Sequence, residues 1–179
     1  MNVDVNMNVN VDVSESVAFL EDTWILYFHD PDNNSWTKES YKNIASISTP
    51  EEWVTTFKSF ETLWANGMFF IMREHILPIW EDPSNKEGGC FSFKVNKTEV
   101  PDFWFTSISK LLGNTLGKND DISDNINGIS ISCKRNYCIV RIWIKNSEAS
   151  ITNYNLDIPN YTQVLYKTHL SNCDFDAQK

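Results

Sequence analysis

Basic side chains are in short supply: 15 Lys and Arg stand against 24 Asp and Glu, a net charge of −9. That excludes a broad surface tracking a phosphate backbone, which depends on many such contacts. It leaves room for a small pocket that recognises one special nucleotide. Histidine is scarcer still. His29, His75 and His169 show no His-Glu-x-x-His spacing, so structural or surface roles are expected for them and no metal site. The four cysteines (Cys90, Cys133, Cys138, Cys173) make no Cys-x-x-Cys pair, which favours buried or incidental thiols in a reducing compartment over disulfides or zinc. No apolar run approaches the roughly 20 residues of a membrane span, and the basic start and apolar stretch of a secretory signal are missing. The expected location is therefore cytoplasmic, with the sequons at Asn33, Asn96 and Asn160 unmodified. Gly-x-Ser-x-Gly, phosphate-cradling glycine loops and a nucleophilic cysteine context are absent too. Glu81 and Asp82 are adjacent, so they point in different directions on any regular element and make a poor catalytic pair. A protein that is not an enzyme and takes no cofactor is expected.

What is present supports a folded domain. The hydrophobic fraction is 41% and aromatics are 13% of 179 residues, enough for a single core. Residues 1–20 are expected to be a disordered arm. Within them Met1 to Val13 alternate in a low-complexity, strand-like pattern, for which an added edge strand is the alternative. The domain is expected over 21–172, with a tail at 173–179. Trp24–Phe28, Tyr41–Ile47, Met68–Met72 and Cys90–Val95 read as strands, as do Gly128–Ser132, Cys138–Ile144 and a last one starting at Val164. Thr49-Pro50-Glu51-Glu52 is a helix start, and the helix is expected to run to Ala65 with Trp53, Phe57, Phe60 and Trp64 on one face. A second helix spans Val100 to Leu112 and stops at Gly113. Leu116–Asn127 reads as a polar loop, and Ser147–Leu156 as a short third helix. The expected class is α+β: a mainly antiparallel sheet, one face covered by two or three helices and the other open to solvent or ligand.

The tryptophans point to the ligand. Buried aromatics are the ordinary use of Trp36, Trp80 and Trp143, but Trp36 lies in the polar stretch Asn33-Asn34-Ser35-Trp36-Thr37-Lys38 and suits the rim of a groove. Trp80 is followed at once by Glu81. Two indole faces with a carboxylate beside one can hold a flat, cationic heterocycle, each stacked face contributing about 1–3 kcal/mol. The acid would accept hydrogen bonds from ring N–H and exocyclic amine, the stronger, charge-assisted kind. Lys134, Arg135 and Arg141 are candidates for a phosphate chain leaving the groove, Arg141 sharing a strand face with Trp143. Exposed surface charge is the alternative for them.

The block Pro78-Ile79-Trp80-Glu81-Asp82…Asn85-Lys86-Glu87-Gly88-Gly89 comes with Trp24 and Trp36 before it. Phe103-Trp104, Ile142-Trp143 and Leu165-Tyr166-Lys167-Thr168-His169 follow. Together, from Asp22 to Leu170, they resemble the eukaryotic translation initiation factor 4E family, the messenger-RNA cap-binding proteins. The resemblance implies a sheet curved like a cupped hand, with helices on its convex face and the cap-binding slot on the concave one. It implies that Trp36 and Trp80 sandwich 7-methylguanine, that Glu81 reads its N1 and N2, that the Trp80 backbone meets O6, and that Trp143 touches the N7-methyl group. Lys134 stands where a phosphate-binding arginine is usual. Capped mRNA is the expected ligand, and a scaffold-type initiation factor or 4E-binding protein the expected partner.

Departures qualify the picture. Ile139 and Cys90 occupy places where the family carries basic residues. Arg141 is expected to supply one lost charge, failing which triphosphate binding weakens by about 1.5–3 kcal/mol. On the dorsal side the relevant positions are Pro50, Val54, Phe105, Thr106 and Ser109, with Trp53 one residue, or about 100° of helix, out of place. Altered or absent binding of the usual partner is expected, as in a specialised or virus-encoded version. The rival expectation is a protein of this fold that binds cap weakly or not at all and sequesters translation factors or RNA.

Overall fold

In a computed structural model, residues 17–147 and 150–170 are described. Of the arm expected over 1–20, residues 1–16 lie outside them, as do the 173–179 tail and Cys173; Leu20 is held, its amide donating to Ser48 O at 2.8 Å and its side chain packing on the core. The described residues form seven strands: β1 (Trp24–His29), β2 (Tyr41–Ile47), β3 (Met68–Arg73), β4 (Gly89–Asn96), β5 (Ile126–Cys133), β6 (Tyr137–Ile144) and β7 (Leu165–Thr168). They make one curved sheet of order β2-β1-β3-β5-β6-β4-β7, every neighbour antiparallel.

Period-two alternation splits the apolar residues between the two faces. Trp24, Leu26, Phe69, Ile71, Phe91, Phe93, Ile129, Val140 and Ile142 join the main core on the convex side. There they meet α1 (Pro50–Ser59) and α3 (Val100–Leu112) through Trp53, Trp104 and Ile108. Ile25, Tyr27, Met68, Phe70, Met72, Cys90 and Trp143 form a second cluster on the concave side. Among the described residues no helix lies over this aromatic concave face, which leaves space for a ligand.

Local chemistry explains where elements begin and end. Thr49 and Glu52 form a complete capping box at the start of α1. The helix stops at Ser59 rather than at Ala65. The Phe57 carbonyl, which Glu61 N–H would need to continue the helix, accepts instead from the Phe60 amide at 3.3 Å and from the Trp64 indole at 3.0 Å. Glu61 N–H turns instead to Lys58 O. The aromatic face survives, because turns at 60–66 still bring Phe60 and Trp64 onto Phe69. The segment expected to be a loop over Leu116–Asn127 holds a short helix, α4 (Asp120–Asp124), capped by Asn119, and runs into β5 at Ile126. The third helix expected at Ser147–Leu156 is, among the described residues, a single 3-10 turn at Ile151–Asn153. Tyr154 leaves it extended to bridge Gly117, and Asn155 N–H donates to Leu116 O at 2.7 Å.

The outer strand β7 covers Gly89–Ser92 of β4 and no more. Beyond it the Lys94 amide donates to Thr162 Oγ1 at 2.9 Å and the Asn96 amide to the Tyr161 hydroxyl at 3.0 Å.

Candidate nucleotide-binding site

The concave face carries a hollow of about 550 Å³, bordered by Trp36, Tyr41, Trp80, Lys134, Arg141 and Trp143. Each wall has an identifiable cause. Trp36 sits in the β1–β2 loop, which is folded by side chains of its own polar residues: Asp30 accepts from the Asp32 amide and Asn33 from the Ser35 amide. The indole is 54% exposed. One of its faces lies on the His29 ring, centroids 4.1 Å apart and 9° from parallel. His29 is held in turn by Nε2–H donating to Ser35 O at 2.9 Å, and Tyr41 meets its ring edge-on. The chain thus builds a rigid backing for Trp36.

Trp80 and Glu81 ride on the β3–β4 connection, which is fixed by buried polar groups. Asp82 accepts from the Leu77 amide and, as N-cap of the short helix α2 (Pro83–Lys86), from the Ser84 amide, both at 2.9 Å. Asn85 is fully buried. Its amide donates to Leu77 O at 2.9 Å and to Ile79 O at 2.8 Å, and its oxygen accepts from Asn127 Nδ2 at 2.9 Å. Both amide hydrogens and the oxygen are engaged. A Cβ on Gly88 would stand 1.8 Å from Ile144 O, and one on Gly89 2.4 Å from Lys167 O. These positions take glycine because neighbouring backbone passes too close for anything larger. The Asp, Asn and Gly-Gly of the sequence block therefore hold the loop, and Trp80 and Glu81 are what it presents.

Neither Trp36 nor Trp80 is entombed. Trp80 is half-buried and Glu81 exposed. Glu81 is not among the residues that wall the hollow; burial pushes the Tyr41 hydroxyl up to about 12, with Glu81 adding to the rise and Arg141 opposing it. Trp143 is only 8% exposed. It lies in the floor, its Nε1–H donating to Ser130 Oγ at 3.0 Å and its ring stacked on His169. Arg141 lines the hollow as its strand register requires and reaches Ser132 Oγ at 3.5 Å. Lys134 lines it, whereas Arg135 is exposed on the hairpin and does not. Ile139 lines it without charge. Sequence reasoning overlooked His29, Tyr41, Phe70 and Lys167. They sit on four different strands, and only the strand register brings them together.

The dorsal positions behave differently from one another. Val54 and Phe105 are exposed, at 37% and 36%, and Pro50 is exposed at the helix start. Trp53 is buried, its indole donating to Ser109 Oγ at 3.0 Å, so Ser109 is occupied with holding α1 to α3.

Among the described residues no group of His, Cys, Asp or Glu could hold a metal ion, and no helix is long and apolar enough to cross a membrane. Cys90, Cys133 and Cys138 are free thiols.

A cupped antiparallel sheet backed by helices, with its open face lined by aromatic rings, is a fold shared with solved structures. Ascaris suum eIF4E-3 with m7G cap matches over 86% of this chain and 92% of that one, with a TM-score of 0.71 and 19% identity. A schistosome eIF4E complexed with m7GpppG and 4E-BP matches over 75% of each chain, with a TM-score of 0.66 and 21% identity. The sequence profile described as Eukaryotic initiation factor 4E matches residues 19–179, and the chain belongs to that family. Among curated relatives, a eukaryotic translation initiation factor 4E homolog of Acanthamoeba polyphaga mimivirus is 33% identical over 138 residues, covering 63% of this chain and 50% of the relative. The factor 4E of Eremothecium gossypii is 27% identical over 135 residues, covering 71% of this chain and 62% of the relative. The match thus spans about half to three-fifths of the length of these two relatives.

Proposed function

We propose that this chain binds the 7-methylguanosine 5′ cap of mRNA in the concave hollow and acts, without catalysis, in cytoplasmic translation initiation or its control. The base stacks between Trp36 and Trp80, Glu81 accepts from its N1 and N2 hydrogens and offsets its charge, and Trp143 contacts the methyl group. Lys134 and Arg141 take the phosphates, with Arg135 too far round the hairpin to line the hollow. The observation that carries this is the built platform: an exposed indole backed by a fixed imidazole, facing a hollow that the Trp80–Glu81 loop borders. An exposed, pre-ordered aromatic binds with little entropic loss, and stacking plus cation–π attraction favours the methylated, electron-poor base over guanine.

The uncharged Ile139 in the wall favours the second possibility, a family member that binds cap weakly and sequesters translation factors or RNA. Tryptophan fluorescence during titration with 7-methylguanosine triphosphate separates the two. Quenching that GTP does not reproduce, with Glu81→Ala costing about 2 kcal/mol or more from the lost charge-assisted bonds, supports the proposal. Equal binding of GTP and the methylated nucleotide would overturn it.

A further inference from the structure

The pairing of three strands places two cations across the floor of the hollow. On β6, Arg141 stands opposite Ser92 of β4. On β4, Cys90 lies opposite both Trp143 of β6 and Lys167 of β7. Arg141, Ser92 and Lys167 all line the hollow. At ordinary strand spacing and rise, two strands and two residues separate the Arg141 and Lys167 backbones by about 12 Å, and both side chains are long. We infer that Arg141 and Lys167, with the Ser92 hydroxyl between them, form a subsite for the phosphate chain of the ligand. This rests on the base-binding proposal above and goes beyond it by naming Lys167 as a binding residue.

Charge supports the inference. Among the described residues neither Arg141 nor Lys167 has a carboxylate partner, since the ion pairs present involve Lys38, Arg73, His75 and Lys110. In a chain of net charge −9, unpaired cations gathered in one hollow are out of keeping with the whole. The floor between them is otherwise neutral. Burial pushes the Cys90 thiol up to about 12, with Arg141 pulling it back, and lowers His169 to about 4. Among the described residues no carboxylate lines the hollow.

The test titrates the full chain, wild type and the Lys167→Gln and Arg141→Gln variants, with 7-methylguanosine and its mono-, di- and triphosphates, following tryptophan fluorescence. Lys167 is exposed on an edge strand, and melting curves check that the variants fold. Each variant should bind the triphosphate about tenfold more weakly while binding the nucleoside like wild type, and should show a shallower salt dependence. A Lys167→Gln protein that binds the triphosphate as tightly as wild type overturns the subsite and leaves the base slot standing. If wild type binds none of the methylated forms, the base proposal fails. Tripolyphosphate then decides alone: binding that Lys167→Gln abolishes upholds the subsite, and no binding overturns it.

Discussion

Replacing Asn85 by alanine should loosen the loop that presents Trp80 and Glu81 before it unfolds the sheet. The substitution removes three hydrogen bonds: those to the carbonyls of Leu77 and Ile79 and the one from Nδ2 of Asn127. At about 1 kcal/mol for each buried hydrogen bond, the loss is about 3 kcal/mol, a large share of the roughly 5–15 kcal/mol that holds a domain together. Apparent affinity scales with the fraction of molecules whose loop is formed, so up to about a hundredfold loss for a methylated guanine nucleotide is available from this source. Asn85→Asp gives the sharper comparison. It is nearly the same size and keeps the acceptor for Asn127, yet it points a carboxylate oxygen at two carbonyl oxygens. It should therefore cost more than alanine, because an unpaired buried charge is dearer than an unmade bond. Hydrogen exchange over residues 74–88, urea unfolding and nucleotide titration on the three proteins measure this. An Asn85→Asp protein as stable and tight-binding as wild type would refute the reasoning, as would unchanged exchange in Asn85→Ala.

Other outcomes follow from burial and spacing. Trp36→Ala should lose about 1–3 kcal/mol of stacking on the ligand with little change in melting temperature, whereas Trp143→Ala, nine-tenths buried, should cost about 3–5 kcal/mol of stability; the opposite ranking contradicts the geometry. Gly88→Ala drives a methyl into Ile144 O and should cost more than about 2 kcal/mol, while Gly113→Ala, with its nearest atom 3.2 Å away, should be tolerated; urea midpoints compare them. Burial holds His169 at about 4 in the folded state against 6.5 unfolded, so the unfolded chain takes up the proton first. Its contribution is whole above pH 6.5 and lost as pH falls toward 4, so wild type and His169→Gln should converge or cross over that window, and a constant difference between them would contradict this. A helical peptide from a 4E-binding protein should bind more weakly than micromolar by calorimetry, because Trp53 is buried and Val54 takes the exposed place on α1; micromolar binding defeats that expectation.

The strands were legible because their residues alternate. Ile25 and Tyr27 separate from Trp24 and Leu26, and Met68, Phe70 and Met72 from Phe69 and Ile71, as a two-sided sheet demands. The start of α1 was legible because its cap is local, Thr49 with Glu52. Its end was not, since there Phe57 O is taken by the Phe60 amide and the Trp64 indole, and side-chain periodicity carries no record of those bonds. The helix α4 did have a local signal in Asn119-Asp120-Asp121, a cap followed by two acids, which the polar composition of the stretch obscured. The shortened turn at Ile151–Asn153 follows from the pull of Leu116 and Gly117, residues some 35 positions earlier. At the site, Trp36, Trp80 and the neighbouring Glu81 announce themselves by context, whereas Lys167 and Tyr41 acquire a place only from which strand lies beside which.

The two hydroxyls set against the outer half of β4 also govern how copies of this chain treat one another. A strand left bare there would offer its amides at alternate residues as a template for a foreign strand, the usual route to sheet-to-sheet association. Thr162 and Tyr161 occupy the amides of Lys94 and Asn96 in advance, so the border is closed by side chains where β7 gives out, and a foreign strand would find two of its docking amides already taken.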